Sequence, residues 1–222
     1  MKPDAIIFDF DGVLIESEYV SNVQIANTLT AIGHPTTVEQ ALDKFVGLGG
    51  RDFLTAVSDW IGGPVPQTFH AARETEDQRV MHEGLDAIAG AIEFVRSLPA
   101  ELPRAIASSS TTTWISRHLD HIALRDAFGQ HIYSGREHVT RGKPAPDIYL
   151  HAASALGADI TKSLIIEDSI VGVTGAVASG AYVVGLAVGL HCGDGHGERL
   201  KAQGAHCVAH SFDEVAALLF QS

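Results

Sequence analysis

The chain has 222 residues, 45% of them hydrophobic, which suits one large domain or a core with a smaller insert. Its 15 Lys and Arg against 27 Asp and Glu give a net charge of −12, so neither nucleic acid nor an anionic membrane is expected as a partner, and an anionic substrate would need a local cationic site. The two cysteines, Cys192 and Cys207, make no disulfide framework, Asp4, Asp9 and Asp11 interrupt any signal-peptide pattern, and no apolar run has the length of a membrane span, so a cytoplasmic protein is expected.

Residues 5–8, Ala-Ile-Ile-Phe, are too few for a helix and read as a buried strand. Asp9 and Asp11 follow, two residues apart, so in extended backbone they lean the same way. Gly12 then permits a sharp turn. Open α/β sheets bind ligands at the carboxyl ends of their strands, and two anions there call for a cation or a proton between them. Read alone, this D-x-D-G stretch fits an ordinary turn equally well.

From residue 16 to 84 the pattern is helical. Ser17 is placed to cap a helix running to about Gly33, with Ile25, Leu29 and Ile32 on its apolar face. Further helices are predicted over 38–46, 51–61 and 67–82, separated by Gly47-Leu48-Gly49-Gly50 and Gly62-Gly63-Pro64. From Leu85 helix and strand alternate. Strands are predicted over 104–108, 131–134, 164–166, 182–186 and 206–209. Helices are marked by Ile88, Ile92 and Val95; by Ile115, Leu119 and Ile122; by Ile148, Ala152 and Leu156; and by Val173 and Val177. His191, Cys192, Asp194 and His196 form a polar, Gly-rich cluster that reads as a surface loop, because it lacks the paired ligand spacing of a structural zinc site. Ser211 and Glu214 form a capping-box pattern that opens a last helix. The alternation implies an α/β fold, a parallel sheet covered by helices on both faces.

Three later stretches change the odds for Asp9 and Asp11. They are Ile106-Ala107-Ser108-Ser109-Ser110, Gly142-Lys143-Pro144-Ala145-Pro146-Asp147, and Leu164-Ile165-Ile166-Glu167-Asp168-Ser169. The residues themselves already suggest roles. A helix opening after Ser108 and Ser109 offers free N–H groups to an anion. Pro144 pushes Lys143 to an extended conformation and Pro146 suits a helix start, which together fix the base of a long cationic side chain. Gly142-Lys143-Pro144 is no P-loop, since no Ser or Thr follows the Lys.

Together with Asp9-Phe10-Asp11-Gly12, and in this order, these stretches resemble the four signature motifs of the haloacid dehalogenase superfamily of phosphotransferases. The resemblance spans nearly the whole chain. It implies a Rossmann-like core over 1–15 and 85–222, with a small all-helical cap over 16–84 inserted after the first strand. It implies Asp9 as nucleophile, forming an aspartyl-phosphate, and Asp11 as general acid–base; the second Asp favours phosphoryl chemistry over carbon–halogen cleavage. It implies Ser108, Ser109 and Lys143 on the phosphate, Lys143 also pairing with Asp9, and Mg²⁺ on Asp9, Asp11 (through its carbonyl) and Asp168, with Glu167 a ligand in some relatives and a group supporting the ligands in others.

Arg51 stands where such caps meet substrate, and reads equally as a helix-start arginine. Glu16 stands where relatives usually carry Asp. Relatives with phosphoglucomutase activity carry a cap histidine where this chain reads Glu18-Tyr19-Val20-Ser21. The expectation is therefore a monomeric Mg²⁺-dependent phosphatase of a small phosphorylated metabolite, similar to the sugar-phosphate phosphatase and β-phosphoglucomutase branch, with 6-phosphogluconate phosphatase-like members nearest. A phosphomutase and a binding protein without turnover are the alternatives.

Overall fold

The computed structural model describes residues 2–48 and 50–220. They form two compact units, one built from the two ends of the chain with its second segment opening at Leu85, and one spanning Ser17–Gly84.

The first unit is a six-stranded parallel sheet of β1 (Ile6–Phe8), β2 (Arg104–Ser108), β3 (Ile132–Ser134), β4 (Leu164–Glu167), β5 (Tyr182–Leu186) and β6 (Cys207–Ala209), in the order β3-β2-β1-β4-β5-β6. β1 lies between β2 and β4, with Phe8 opposite both Ile106 and Ile166. The strand order reverses at this point, and the crevice outside the strand ends there is where such sheets take ligands. The register brings the residues after β1, β2 and β4 to one edge.

Every residue of β1, β2 and β4 is buried, as expected for strands covered on both faces. On one face Ile7, Ala105, Ile165 and Val183 pack with Ile148 and Tyr149 of α8 (Asp147–Leu156), Val173 of α9 (Ile170–Ala178) and Leu200 of α10 (His196–Ala202). On the other, Phe8 meets Phe94 of α5 (Ala91–Ser97) and Phe128 of α7 (Arg125–Phe128) edge-on, and Phe94 meets Phe212 of α11 (Phe212–Phe220). The alternation of side chains along each strand divides the core this way. α6 (Thr112–His121) follows β2 and is capped by Thr111, whose Oγ1 accepts from the Trp114 N–H at 3.3 Å.

The second unit is all helix: α1 (Ser17–Ala31), α2 (Val38–Phe45), α3 (Gly50–Ile61) and α4 (Gln67–Glu83). Ile25, Leu29, Ala41, Phe45, Val57 and Phe69 form its core, with Ile32 packed against it. Thr37 and Gln40 form a reciprocal capping box at α2.

Local departures from the sequence reading have physical reasons. Ser17 Oγ is buried and accepts no hydrogen bond from the described residues, so it does not cap α1. Ile88 precedes α5 instead of lying on it, because Ala87 bridges to Ile15. Glu214 reaches back to the N–H of His210, not that of Ser211, while Ser211 Oγ accepts from the Glu214 N–H at 3.1 Å. The short helices α7 and α10, with one turn and seven residues, carry too little period to be read from sequence. The turn expected at 47–50 falls partly outside the described residues, at Gly49, and Gly50 already belongs to α3. Among the described residues no helix is long and apolar enough to cross a membrane.

Candidate active site

Asp9 directly follows β1, its N–H bonded to the Ile166 carbonyl at 2.9 Å. Lys143 Nζ donates to Asp9 Oδ1 at 2.6 Å and to Glu167 Oε1 at 2.6 Å. The Lys143 side chain is 5% exposed, and those of Asp9 and Glu167 are 9% and 0%. Burial alone would lower the Lys143 pKa, but the Asp9 and Glu167 carboxylates outweigh it and hold the ammonium charged, well above its ordinary value. The Lys143–Pro144 peptide is cis.

Glu167 is fully engaged by protein. Oε1 accepts from Lys143 and from the Tyr149 hydroxyl at 3.0 Å, and Oε2 accepts from the N–H and hydroxyl of Ser169 at 2.8 and 3.0 Å. The carboxylate sits under the first turn of α9, and Gly172 makes room for it. A Cβ there would lie 1.6 Å from Oε1.

Asp11 is held from three sides. Ser110 Oγ donates to its Oδ2 at 2.6 Å, Ser108 Oγ to the same oxygen at 3.3 Å, and Trp114 Nε1 to Oδ1 at 3.1 Å. Ser108 is buried at the end of β2, and its Oγ also accepts from the Ser110 N–H at 3.0 Å. Ser109 is exposed. The turn that carries Asp11 depends on Gly12, at φ +76°, where an added Cβ would lie 2.2 Å from Asp168 Oδ2. Behind Trp114, one helical turn on, His118 is buried edge-on to the indole at 4.3 Å between ring centroids. Neither ring nitrogen of His118 has a hydrogen-bond partner among the described residues, and burial pushes its pKa down to about 4.

Asp168 follows β4 and is buried. His191 Nε2 lies 2.8 Å from its Oδ2 and His196 Nε2 lies 2.7 Å from its backbone carbonyl oxygen. Both histidines are buried, which corrects the surface-loop reading for His191 and His196, while Gly193, Asp194 and Gly195 are exposed. Residue type alone does not reveal that the loop after β5 folds inward. Asp168 Oδ1 is buried and accepts no hydrogen bond from the described residues.

Oxygens of Asp9, Glu167 and Asp168 lie within 4.8 Å of one another. Burial first, with the neighbouring carboxylates adding to it, pushes the pKa of Asp9 and of Asp168 well above the carboxylate range, even against the opposing Lys143 charge. Three buried carboxylates around one ammonium, and an orphaned buried oxygen on Asp168, fit a cation. The all-oxygen donors select a hard one such as Mg²⁺.

The structure thus gathers Asp9, Asp11, Ser108, Lys143, Glu167 and Asp168 at one edge of the sheet, and adds Ser110, Trp114, Tyr149, His191 and His196, which sequence reasoning did not assign to it. Arg51 is exposed in the first turn of α3, in the helical unit.

Residues 3–180 match the family model for haloacid dehalogenase-like hydrolases. The chain is similar to 6-phosphogluconate phosphatase of Escherichia coli, 25% identical over 87% of this chain and 84% of the relative. A conserved haloacid dehalogenase-like protein of unknown function from Agrobacterium tumefaciens superposes with a TM-score of 0.89, at 30% identity over 97% of both chains. A family hydrolase from Deinococcus radiodurans, solved with bound phosphate and sodium, gives 0.85 at 33% identity, over 97% of this chain and 94% of that one. The chain belongs to the haloacid dehalogenase-like hydrolases.

Proposed function

We propose that the chain is a Mg²⁺-dependent phosphohydrolase that removes phosphate from a small metabolite through an aspartyl-phosphate on Asp9. Its class is phosphoric monoester hydrolase, in keeping with the family and its named phosphatases. The sugar-acid phosphate in the name of the Escherichia coli relative supports a sugar phosphate or sugar-acid phosphate as the substrate class. One observation carries the reading: Asp9 and Asp11 stand at the end of β1 with a buried Lys143 on the first and hydroxyl donors on the second.

The chemistry follows from these residues. An Asp9 oxygen attacks phosphorus, the ester P–O bond breaks, and the phosphoryl group rests on Asp9. Asp11 gives a proton to the departing alkoxide, then takes one from the water that releases phosphate and restores Asp9. Lys143 and the Ser108 hydroxyl donate to the phosphoryl oxygens, and a backbone N–H at Ser109 adds a third donor. Asp9, Asp168 and the Asp11 carbonyl would hold Mg²⁺. Glu167, whose oxygens already accept four hydrogen bonds, holds Lys143 and contributes charge. When bound, the cation neutralises charge on the phosphoryl oxygens and lets an anionic nucleophile approach them.

The test is phosphate release from a panel of sugar and sugar-acid monophosphates, with Mg²⁺ and with EDTA. Turnover of at least one, in Mg²⁺ only, is expected. In Asp11→Asn, acid quenching after p-nitrophenyl phosphate should leave phosphate on Asp9, located by mass spectrometry. Label on a serine or histidine, undiminished turnover in EDTA, or predominant isomerisation of β-glucose 1-phosphate would reject the proposal.

A further inference from the structure

The loop between β5 and α10 is anchored at three points, and two of them are on Asp168. The Leu190 N–H donates to both carboxylate oxygens of Glu16 at 3.2 Å, which brings the loop against the segment after β1. His191 then reaches Asp168 Oδ2, and His196, at the start of α10, reaches the Asp168 carbonyl. The two imidazoles pack edge-on at 5.7 Å between centroids.

Both acceptors are oxygens, a carboxylate and a carbonyl. Each histidine therefore carries its proton on Nε2, an assignment made from the partners. A carboxylate turns easily about its last torsion, which is broad and two-fold. A metal ligand must present one oxygen in one direction, and a partner bonded to the other oxygen is what fixes it. At Asp168 the fixed oxygen is Oδ2, and the oxygen left without a hydrogen bond is Oδ1. His196 does the same for the backbone at the end of β4, so the carboxylate and the peptide that carries it are both tied.

We infer that His191 and His196 are positioning residues that hold Asp168 with Oδ1 presented to the active-site cation. This rests on reading Asp168 as a metal ligand.

The loop could instead hold a metal of its own, since donor atoms of His191, Cys192 and His196 lie within 4.8 Å of one another. The bonding argues against it. Both Nε2 atoms are on Asp168, His196 Nδ1 faces the Arg199 guanidinium at 3.4 Å, and Cys192 Sγ lies 3.4 Å from His191 Nε2, inside the same network. Burial, with the Asp168 charge next, pushes the Cys192 thiol up to about 12, far from the thiolate a soft cation needs.

The experiment is calorimetric titration of Mg²⁺ into the substrate-free protein and its variants, with kcat measured at saturating Mg²⁺. His191→Leu, which cannot donate, should weaken Mg²⁺ by about 10–100-fold, the usual effect of losing the partner that orients a ligand. His191→Gln, whose Nε2 can reach the same oxygen, should restore affinity to within about threefold of the parent, and His196→Leu should fall between them. The loss should lie mainly in Mg²⁺ affinity, with kcat recovering as Mg²⁺ is raised. If His191→Leu does not fold, His191→Asn, too short to span to Oδ2, carries the same expectation.

Unchanged Mg²⁺ affinity in His191→Leu, while Asp168→Asn loses it, would overturn the positioning role alone. Unchanged affinity in Asp168→Asn would overturn the ligand reading and this inference with it. Stoichiometric Zn²⁺ binding that disappears in Cys192→Ser would also overturn it, by giving the loop a metal site of its own.

Discussion

Lys143→Met tests the electrostatic logic of the site most directly. Among the described residues the lysine is the only positive side chain in hydrogen-bond contact with Asp9 and Glu167, and all three side chains are nearly or fully buried. Water and salt therefore screen the pair weakly. Methionine keeps much of the length of the side chain and removes the ammonium, leaving Asp9, Glu167 and Asp168 together without it. Removing one partner of a buried pair costs about 3–5 kcal/mol, because the remaining charge is uncompensated. For a chain of this length about 1 kcal/mol corresponds to 2–4 °C, so in EDTA the melting temperature should fall by about 6–20 °C.

Two controls separate this cost from a packing defect. Mg²⁺ should raise the melting temperature of Lys143→Met more than that of the parent, since the cation now has more negative charge to bind and no ammonium to compete with. Adding Glu167→Gln should recover part of the loss, as coupled neighbours do in a double-mutant cycle. Turnover should fall by about 10²–10³-fold, the scale for one preorganised donor to the transferring group. Thermal unfolding by circular dichroism, with EDTA or Mg²⁺, is the assay. A fall of less than about 2 °C in EDTA, or equal Mg²⁺ responses in variant and parent, would refute the reasoning.

Three further outcomes are expected. Trp114→Phe removes the indole N–H from Asp11 Oδ1 but keeps an aromatic ring beside His118. A hydrogen bond to a charged group is worth about 1.5–3 kcal/mol, so steady-state hydrolysis of an alkyl phosphate should drop at least about tenfold, while the first burst of nitrophenolate from p-nitrophenyl phosphate persists; loss of that burst would place Trp114 in packing instead. Gly12→Ala puts a Cβ 2.2 Å from Asp168 Oδ2 at φ +76°. It should weaken Mg²⁺ binding by calorimetry as well as stability, and parental Mg²⁺ affinity would show that Asp168 need not stay where it is. His118 has its pKa pushed from 6.5 to about 4, so the unfolded chain takes the proton first, and the stability is full above pH 6.5 and lost as pH falls toward 4. At pH 5 the loss is about 2 kcal/mol, and urea unfolding of His118→Leu should lack that acid-sensitive part; identical pH profiles would contradict it.

By itself the sequence determined the alternation of strand and helix, the helical insert and the spacing of Asp9, Asp11, Ser108, Lys143 and Asp168. Those signals are local. Buried strands announce themselves as short apolar runs, helices by their period, and the prolines flanking Ala145 restrict the backbone next to them. The tertiary structure alone decided which polar side chains those residues meet. Trp114 and Asp11 are 103 positions apart, and Tyr149 reaches Glu167 across 18. The parallel crossovers bring such residues together, and each sits on an element whose own pattern is complete without it. The same holds for His191 and His196. A glycine-rich polar segment has equal local reasons to face water or to turn inward. The Leu190 N–H on Glu16, and the chance to bond the carboxylate and carbonyl of Asp168, draw it in. Burial then costs the histidines no unpaired donor toward Asp168, and that balance exists only once β1, β4 and β5 lie side by side.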